Sequence, residues 1–519
     1  MKTTAKKMSV FQLTTMVAAN MMGAGIIMLP TKLAEVGTIS ILSWLITAAG
    51  SLILAHIFAQ CGMFTRKTGG MGGYAEYSLG RTGHFMANYA YAISLVIANV
   101  AIAISAVGYA AVLFNLTLSP IQVSLATIVL LWLAAVLNFG GNANTGRISN
   151  ITVWGAIIPV CFISIFGWLW FDPAMYKTVW NVQQLPFFDA VSDSIALTLW
   201  AFLGFESAAA NMDAVENPKK NVPIATFFGT LAVAVIYVLS TNVIAGIVPN
   251  ADLLNSTAPF GLVYAQMFNE PIGRLVMAMM VISCCGATLC WQFTLSRVFK
   301  SSAEVGLFPR VFAKVTQKDV PLRGMFIILA VQTLMALMTT NESLSRQFEN
   351  LVNLAVVTNV FPYILCCLSV HTLLKQEGAT KGNRRNIYVL SVFAIIYSCY
   401  AIYAAGEAPM IGGAVLQVGS WRFIFALLTA FGVLSLVAVH YLMRESLAPE
   451  NVRRLAVGPV LRDYWALLRD RHYAAYMWCG AVFLSGMFAY ITVSSFVLID
   501  GYGLSPSQYA WVFGSNAAG

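Results

Sequence analysis

Charge is what this chain has least of. Only 10% of its 519 residues are Asp, Glu, Lys or Arg, against 59% hydrophobic residues. Soluble globular chains carry about 25% charged residues, so a water-soluble fold is excluded and an integral membrane protein is implied. Cysteine pairs are missing as well. The nine cysteines lie in or beside apolar runs and none forms C-x-x-C, which indicates neither a disulfide framework nor a zinc site. No nucleophile–base pair, metal-ligand cluster or cofactor-binding loop appears, so an enzyme, a cofactor and a metal are all unexpected. The formal net charge of +9 does not point to nucleic acid. The lysines and arginines stand between apolar runs, as they do in cytoplasmic loops, and no basic patch is interleaved with aromatics.

Long apolar runs are what the chain does have. Crossing a bilayer takes about 20 largely apolar residues. On that ruler, spans are expected at 9–31, 38–60, 84–113, 121–140, 149–171, 190–211, 223–248, 273–299, 324–341, 347–373, 386–405 and 421–443, with another near 473–498 and a start at 508. Helices are the default form, because lipid satisfies no open backbone group. The basic clusters Lys2–Lys7, Arg66–Arg81, Arg147, Lys219–Lys220, Arg310–Arg323 and Lys375–Arg385 all fall on one side of this ladder. That places the N-terminus in the cytoplasm of a multi-pass inner-membrane protein. The opposite loops carry Asp172, Asp189, Asp193, Asp252 and Glu270, either a vestibule that concentrates cations or ordinary solvated loops.

Two spans are interrupted by glycine. The first holds Met22-Gly-Ala-Gly-Ile-Ile27, and the sixth holds Gly204 beside Glu206. Glycine weakens a helix by about 1 kcal/mol relative to alanine, so both are natural points of unwinding. Breaks at the first helix of each five-helix set point to an all-α, five-plus-five inverted-repeat transporter with a mid-membrane site. Glu206 is the central residue. A carboxylate at membrane depth costs about 2.5–3.5 kcal/mol on insertion scales and asks for a cation. Few basic residues lie inside the spans, so a cationic substrate is the expected partner. Trp200 and Trp291 can supply aromatic faces for an ammonium and its alkyl stem. Backbone groups freed around Gly23 and Gly25 can hold the head group of an amino acid. Glu76, in Gly69-Gly-Met-Gly-Gly-Tyr-Ala-Glu-Tyr77, either gates the cytoplasmic exit by pairing with a loop arginine or is an exposed carboxylate at a helix start.

Residues Met21-Met-Gly-Ala-Gly-Ile-Ile-Met-Leu-Pro-Thr-Lys-Leu-Ala-Glu-Val-Gly-Thr-Ile-Ser40 resemble the first span of putrescine–ornithine antiporters. These form part of the basic amino acid/polyamine branch of the amino acid–polyamine–organocation carriers. The 69–77 segment, Trp200-Ala-Phe-Leu-Gly-Phe-Glu-Ser207, Val215-Glu-Asn-Pro218, Ser256-Thr-Ala-Pro-Phe-Gly261 and Leu351-Val-Asn-Leu-Ala-Val-Val-Thr-Asn359 are similar to that family too. The resemblance runs to about residue 406. It implies exchange of putrescine for ornithine, with proton-linked putrescine uptake as a further mode and a homodimer left open. It also implies roles in polyamine handling for Glu206, Trp200, Trp291, Glu76, Tyr91 and Cys61. Lysine/cadaverine and arginine/agmatine exchangers share the architecture and remain alternatives.

From residue 407 to 519 the resemblance changes. Ala408 to Phe425, the basic linker with Arg453, Arg454, Arg462, Arg469 and Arg471, and Phe483 to Val497 resemble an internal part of a bicyclomycin/chloramphenicol-resistance carrier of the major facilitator superfamily. The chain thus reads as an antiporter, 1–406, joined to a piece of another carrier. Either that piece stands in for a missing twelfth helix or the join is accidental, and the second reading is preferred. A drug/proton antiporter, or a chimera that no longer transports, are the corresponding alternatives in function.

Overall fold

The computed structural model describes residues 9–22, 25–67, 69–140, 142–206, 216–316, 320–338 and 343–405. By contacts the chain divides into two units, 1–427 and 428–519, and every described residue belongs to the first. The expected join after residue 406, and the carrier-like segment beyond it, lie outside the described residues.

Every regular element described is a helix. Span one is two pieces, α1 (Val10–Met22) and α2 (Leu29–Val36). Spans two to four are α3 (Ser40–Phe64), α4 (Met71–Leu113) and α5 (Pro120–Leu137). Span five is α6 (Asn142–Thr152) followed by α7 (Trp154–Phe166). The short helices α8 (Pro173–Thr178) and α9 (Phe187–Ser192) lead to α10 (Ile195–Phe202), the first part of span six. Span seven is α11 (Pro218–Ala245), and α12 (Asn250–Leu254) and α13 (Pro259–Met267) link it to span eight, α14 (Glu270–Glu304). The rest are α15 (Leu322–Met338), α16 (Leu344–Gln376) and α17 (Lys381–Ala404). Eight of the described helices are long and apolar enough to cross a membrane. The shorter apolar helices α1 and α15 fall where the first and ninth spans were expected, α10 starts the sixth, and the rest of that span lies outside the described residues.

Polar side chains fix the helix ends. Ser119 accepts from the Gln122 N–H while Gln122 reaches back to the Ser119 N–H, a capping box on α5. Asn269, Ser343 and Thr380 cap α14, α16 and α17 in the simpler way. Each cap satisfies N–H groups that the first turn leaves without a partner. Along α5 the usual soluble pattern is inverted. Leu125, Val129, Leu133 and Val136 are exposed, while Ser124 and Thr127 are buried, the arrangement of a helix whose outer face meets lipid.

Span three begins earlier than its apolar run suggests. Helix α4 starts at Met71, after Gly69 and Gly70 at φ 98° and 60°, and turns at Gly80, φ 59°. These left-handed values suit glycine alone without strain. They fold residues 71–79 into a separate helical lead-in to the span. Helix α4 packs on α16 and α14, and these three long helices back the site.

Candidate functional site

The two breaks meet face to face. Between α1 and α2, Gly25 lies so close to α10 that a Cβ there would come 3.0 Å from the Ala201 Cα. After α10, Gly204 adopts φ 116°, and a Cβ on it would stand 3.2 Å from the Asn20 carbonyl oxygen. Both glycines are therefore demanded by close approach, and Gly204 by its backbone as well. Exchanging Gly204 for alanine should cost about 1–3 kcal/mol in strain. We expect a lower unfolding midpoint in detergent and a loss of transport larger than the stability change alone accounts for.

Helix ends inside a membrane leave carbonyls that need donors. The Tyr237 hydroxyl donates to the Met21 carbonyl at 2.9 Å, and the Tyr109 hydroxyl to the Ile27 carbonyl at 2.9 Å. Each of these carbonyls at the edges of the first break thus already accepts one hydrogen bond from within the protein. Gly23, expected at the centre of that break, lies outside the described residues. Gly25 lines a small chamber of about 30 Å³ with Asn20, Trp200, Glu206, Trp291 and Asn359.

Glu206 is buried, with 7% of its surface exposed. Its Oε1 accepts from the Tyr91 hydroxyl at 3.2 Å. Its Oε2 accepts from the Tyr363 hydroxyl at 3.0 Å and from the Gly204 N–H at 3.0 Å. The break in span six thus aims a backbone N–H at the acid it exposes. Phe58, Phe205 and Tyr363 pack with ring centroids 5.1 to 5.8 Å apart, which holds the Tyr363 hydroxyl in place. Among the described residues no lysine or arginine pairs with Glu206. Three neutral donors hold this carboxylate, leaving its charge for something else.

A second, larger space of about 720 Å³ begins at the same residues. Glu206, Trp291 and Asn20 line both it and the chamber. Tyr91 also faces it, and it extends to Gly69, Gly70, Arg297 and Ser301, at the start of α4 and the end of α14. The opposite end is shut. Lys32, only 3% exposed, lies 2.7 Å from Glu35 and 2.8 Å from Glu349, joining α2 to the start of α16. Phe348, beside Glu349, meets Trp200 edge-on at 6.5 Å. Among the described residues, the larger space runs from Glu206 toward the start of α4 and the end of α14, while the Lys32 ion pairs and the Trp200–Phe348 contact lie toward α2 and the start of α16.

Other expected residues lie further off. Glu76 does not pair with a loop arginine. It binds the loop lysine Lys67 at 3.0 Å and His84 at 2.7 Å, because Arg66 is engaged by Glu377 at 3.0 Å. Glu377 also accepts from the Tyr77 hydroxyl at 2.6 Å, so this network ties the 65–77 turn to the end of α16. Cys61 is fully buried in α3 and lines neither space. Trp168 and Trp170 are 42% and 38% exposed, as membrane-interface tryptophans commonly are. Tyr363, Asn359 and Lys32 were not among the expected site residues.

A buried carboxylate with no cation beside it among the described residues, faced by tryptophans where α1 and α10 end, is the equipment of a solute carrier. Residues 8–436 match the amino acid permease family, and the chain belongs to it. It is 59% identical over 421 residues to the putrescine transporter PotE of Haemophilus influenzae, covering 81% of this chain and 97% of that one. It is 57% identical over 417 residues to the putrescine transporter PotE of Escherichia coli K12, covering 80% and 95%. Identity to the cadaverine/lysine antiporter of Escherichia coli K12 is 32% over 419 residues, covering 80% and 93%. The chain is a membrane permease and not an enzyme.

Proposed function

We propose that this chain exchanges putrescine for ornithine across the bacterial inner membrane, with Glu206 as the charge partner of the substrate ammonium. The observation that carries the proposal is the Glu206 carboxylate, held by Tyr91, Tyr363 and Gly204 with no cation beside it among the described residues, where chamber and cavity meet. Trp200 and Trp291 cover the alkyl stem. The much higher identity to the two putrescine transporters than to the cadaverine/lysine antiporter favours the four-carbon diamine. With the N-terminus in the cytoplasm, the open cavity faces the cytoplasm and the Lys32 end faces outward. Ornithine at +1 against putrescine at +2 moves one charge per cycle, coupling exchange to membrane potential by about 2.3 kcal/mol per 100 mV. Proton-linked putrescine uptake is a second mode of the same site, and a homodimer is compatible with it.

In this reading residues 407–519 contribute nothing to exchange, since the five-plus-five core ends with α16. The test is counterflow in proteoliposomes holding the full 519-residue chain, with labelled putrescine outside and unlabelled ornithine inside. Uptake stimulated by internal ornithine is expected. If it is absent, residues 407–519 should be replaced by the corresponding end of a putrescine transporter. Rescue would place the fault in the join, and continued silence would refute the substrate pair.

A further inference from the structure

The chamber between the breaks contains polar atoms that nothing among the described residues satisfies. Asn359 is 1% exposed, and its Oδ1 has no hydrogen-bond partner. The Trp200 indole Nε1 in the same chamber is also unpaired. Buried polar atoms are nearly always hydrogen-bonded, and an exception calls for an explanation. Here the explanation lies in the register of α16. Asn359 precedes Tyr363 by four residues, so the two share one helix face. Tyr363 is the residue that holds Glu206 Oε2. A helix rises about 6 Å over four residues, comparable to the stem of a four-carbon diamine. The chamber wall also includes the apolar Leu95, Ala98 and Ile102.

We propose that Asn359 is the site for the second amino group of the substrate, and that its separation from Glu206 selects stem length. The proposal rests on the assignment of Glu206 as the first ammonium site. One substrate ammonium binds the carboxylate, and the other donates to the free amide oxygen of Asn359. The chamber of about 30 Å³ is water-sized, so the diamine lies across its junction with the larger cavity at Glu206 and Trp291. A single carboxylate cannot measure length. Two acceptors at fixed separation can.

The test compares putrescine with n-butylamine, a monoamine of the same stem, as competitors of putrescine counterflow in proteoliposomes of the full chain. In Asn359→Leu, near in size but without an acceptor, putrescine should bind at least about tenfold more weakly. Butylamine, which uses Glu206 alone, should compete as well as against the wild type. The preference for the four-carbon over the three- and five-carbon diamines should narrow. In Asn359→Asp, of equal size with a charged acceptor, putrescine should bind more tightly than to the wild type. Folding damage would weaken both ligands in both variants. Equal weakening of butylamine and putrescine, or an unchanged length preference in Asn359→Leu, would overturn the proposal. If the leucine variant fails to assemble, the sign of the aspartate effect decides alone. A wild-type chain that does not bind putrescine would overturn the functional reading and this one with it.

Discussion

Glu206→Gln is expected to abolish putrescine–ornithine exchange while leaving the protein folded in the membrane. Glutamine keeps the length and an acceptor for the tyrosine hydroxyls, and the hydroxyls can turn to accept from its amide. The Tyr91 and Tyr363 contacts therefore have substitutes, and little stability should be lost. The charge has no substitute. An ammonium leaving water for a site walled by Trp200 and Trp291 is compensated chiefly by this carboxylate. Removing one member of a buried, hydrogen-bonded charge pair costs about 2–5 kcal/mol, and each 1.4 kcal/mol is about tenfold in affinity. Putrescine affinity should thus fall about thirtyfold to several thousandfold. Binding measured by calorimetry in detergent and counterflow in proteoliposomes should fall together. Full exchange by a Glu206→Gln protein with a normal elution profile would remove Glu206 from the substrate path.

What could be read from sequence was local, and what could not was brought together by the fold. Glu206 and Gly204 stand two residues apart in an apolar run, so an acid at a helix break is visible without coordinates. The eight long membrane-length helices lie where run length put them, although Gly69, Gly70 and Gly80 moved the start of α4 thirteen residues earlier than the apolar ruler put it. Tyr363 is 157 residues from Glu206, and a tyrosine in an apolar span has no pattern of its own. One clue existed. Asn359 and Tyr363 fall four apart in an apolar span, which puts two polar groups on one stripe. The pairing of Glu76 went astray for a competitive reason. The nearby loop arginine Arg66 is engaged by Glu377, three hundred residues on from Tyr77. Cys61 came only from family resemblance, and its place inside α3, lining neither space, offers no direct contact with a ligand.

Lys32→Met is the other substitution with a large expected effect, and it acts on the closed end. Lys32 was passed over because it falls just beyond the apolar run of span one, where lysine usually reaches water. It is instead 3% exposed and held between Glu35 and Glu349. Breaking a fully buried ion pair costs about 3–5 kcal/mol, mostly because the remaining charge is left without a partner. Glu35 and Glu349 keep 36% and 22% of their side-chain surface exposed, and Glu349 keeps Arg346 at 3.6 Å, so about 1–3 kcal/mol is the reasonable figure here. Because the pair joins α2 to α16 on the side away from the cavity, its loss should weaken the closed end more than the rest of the core. The balance should then shift toward a state open at that end, since a contact present in one conformation only biases the population by its own free energy. On a background without native cysteines, a thiol at Ser301→Cys, which lines the cavity, should label more slowly once Lys32 is replaced. Glu349→Gln should do the same to a lesser degree, because Glu35 still holds the lysine. The double variant Lys32→Met/Glu349→Leu removes both charges of the inter-helix contact and puts apolar side chains in their place. It should recover most of the stability lost by Lys32→Met, as neutral replacements of buried pairs commonly do. Losses that simply added in the double variant would show that the two residues act separately, and that the closed end is held by packing such as Trp200 on Phe348 instead.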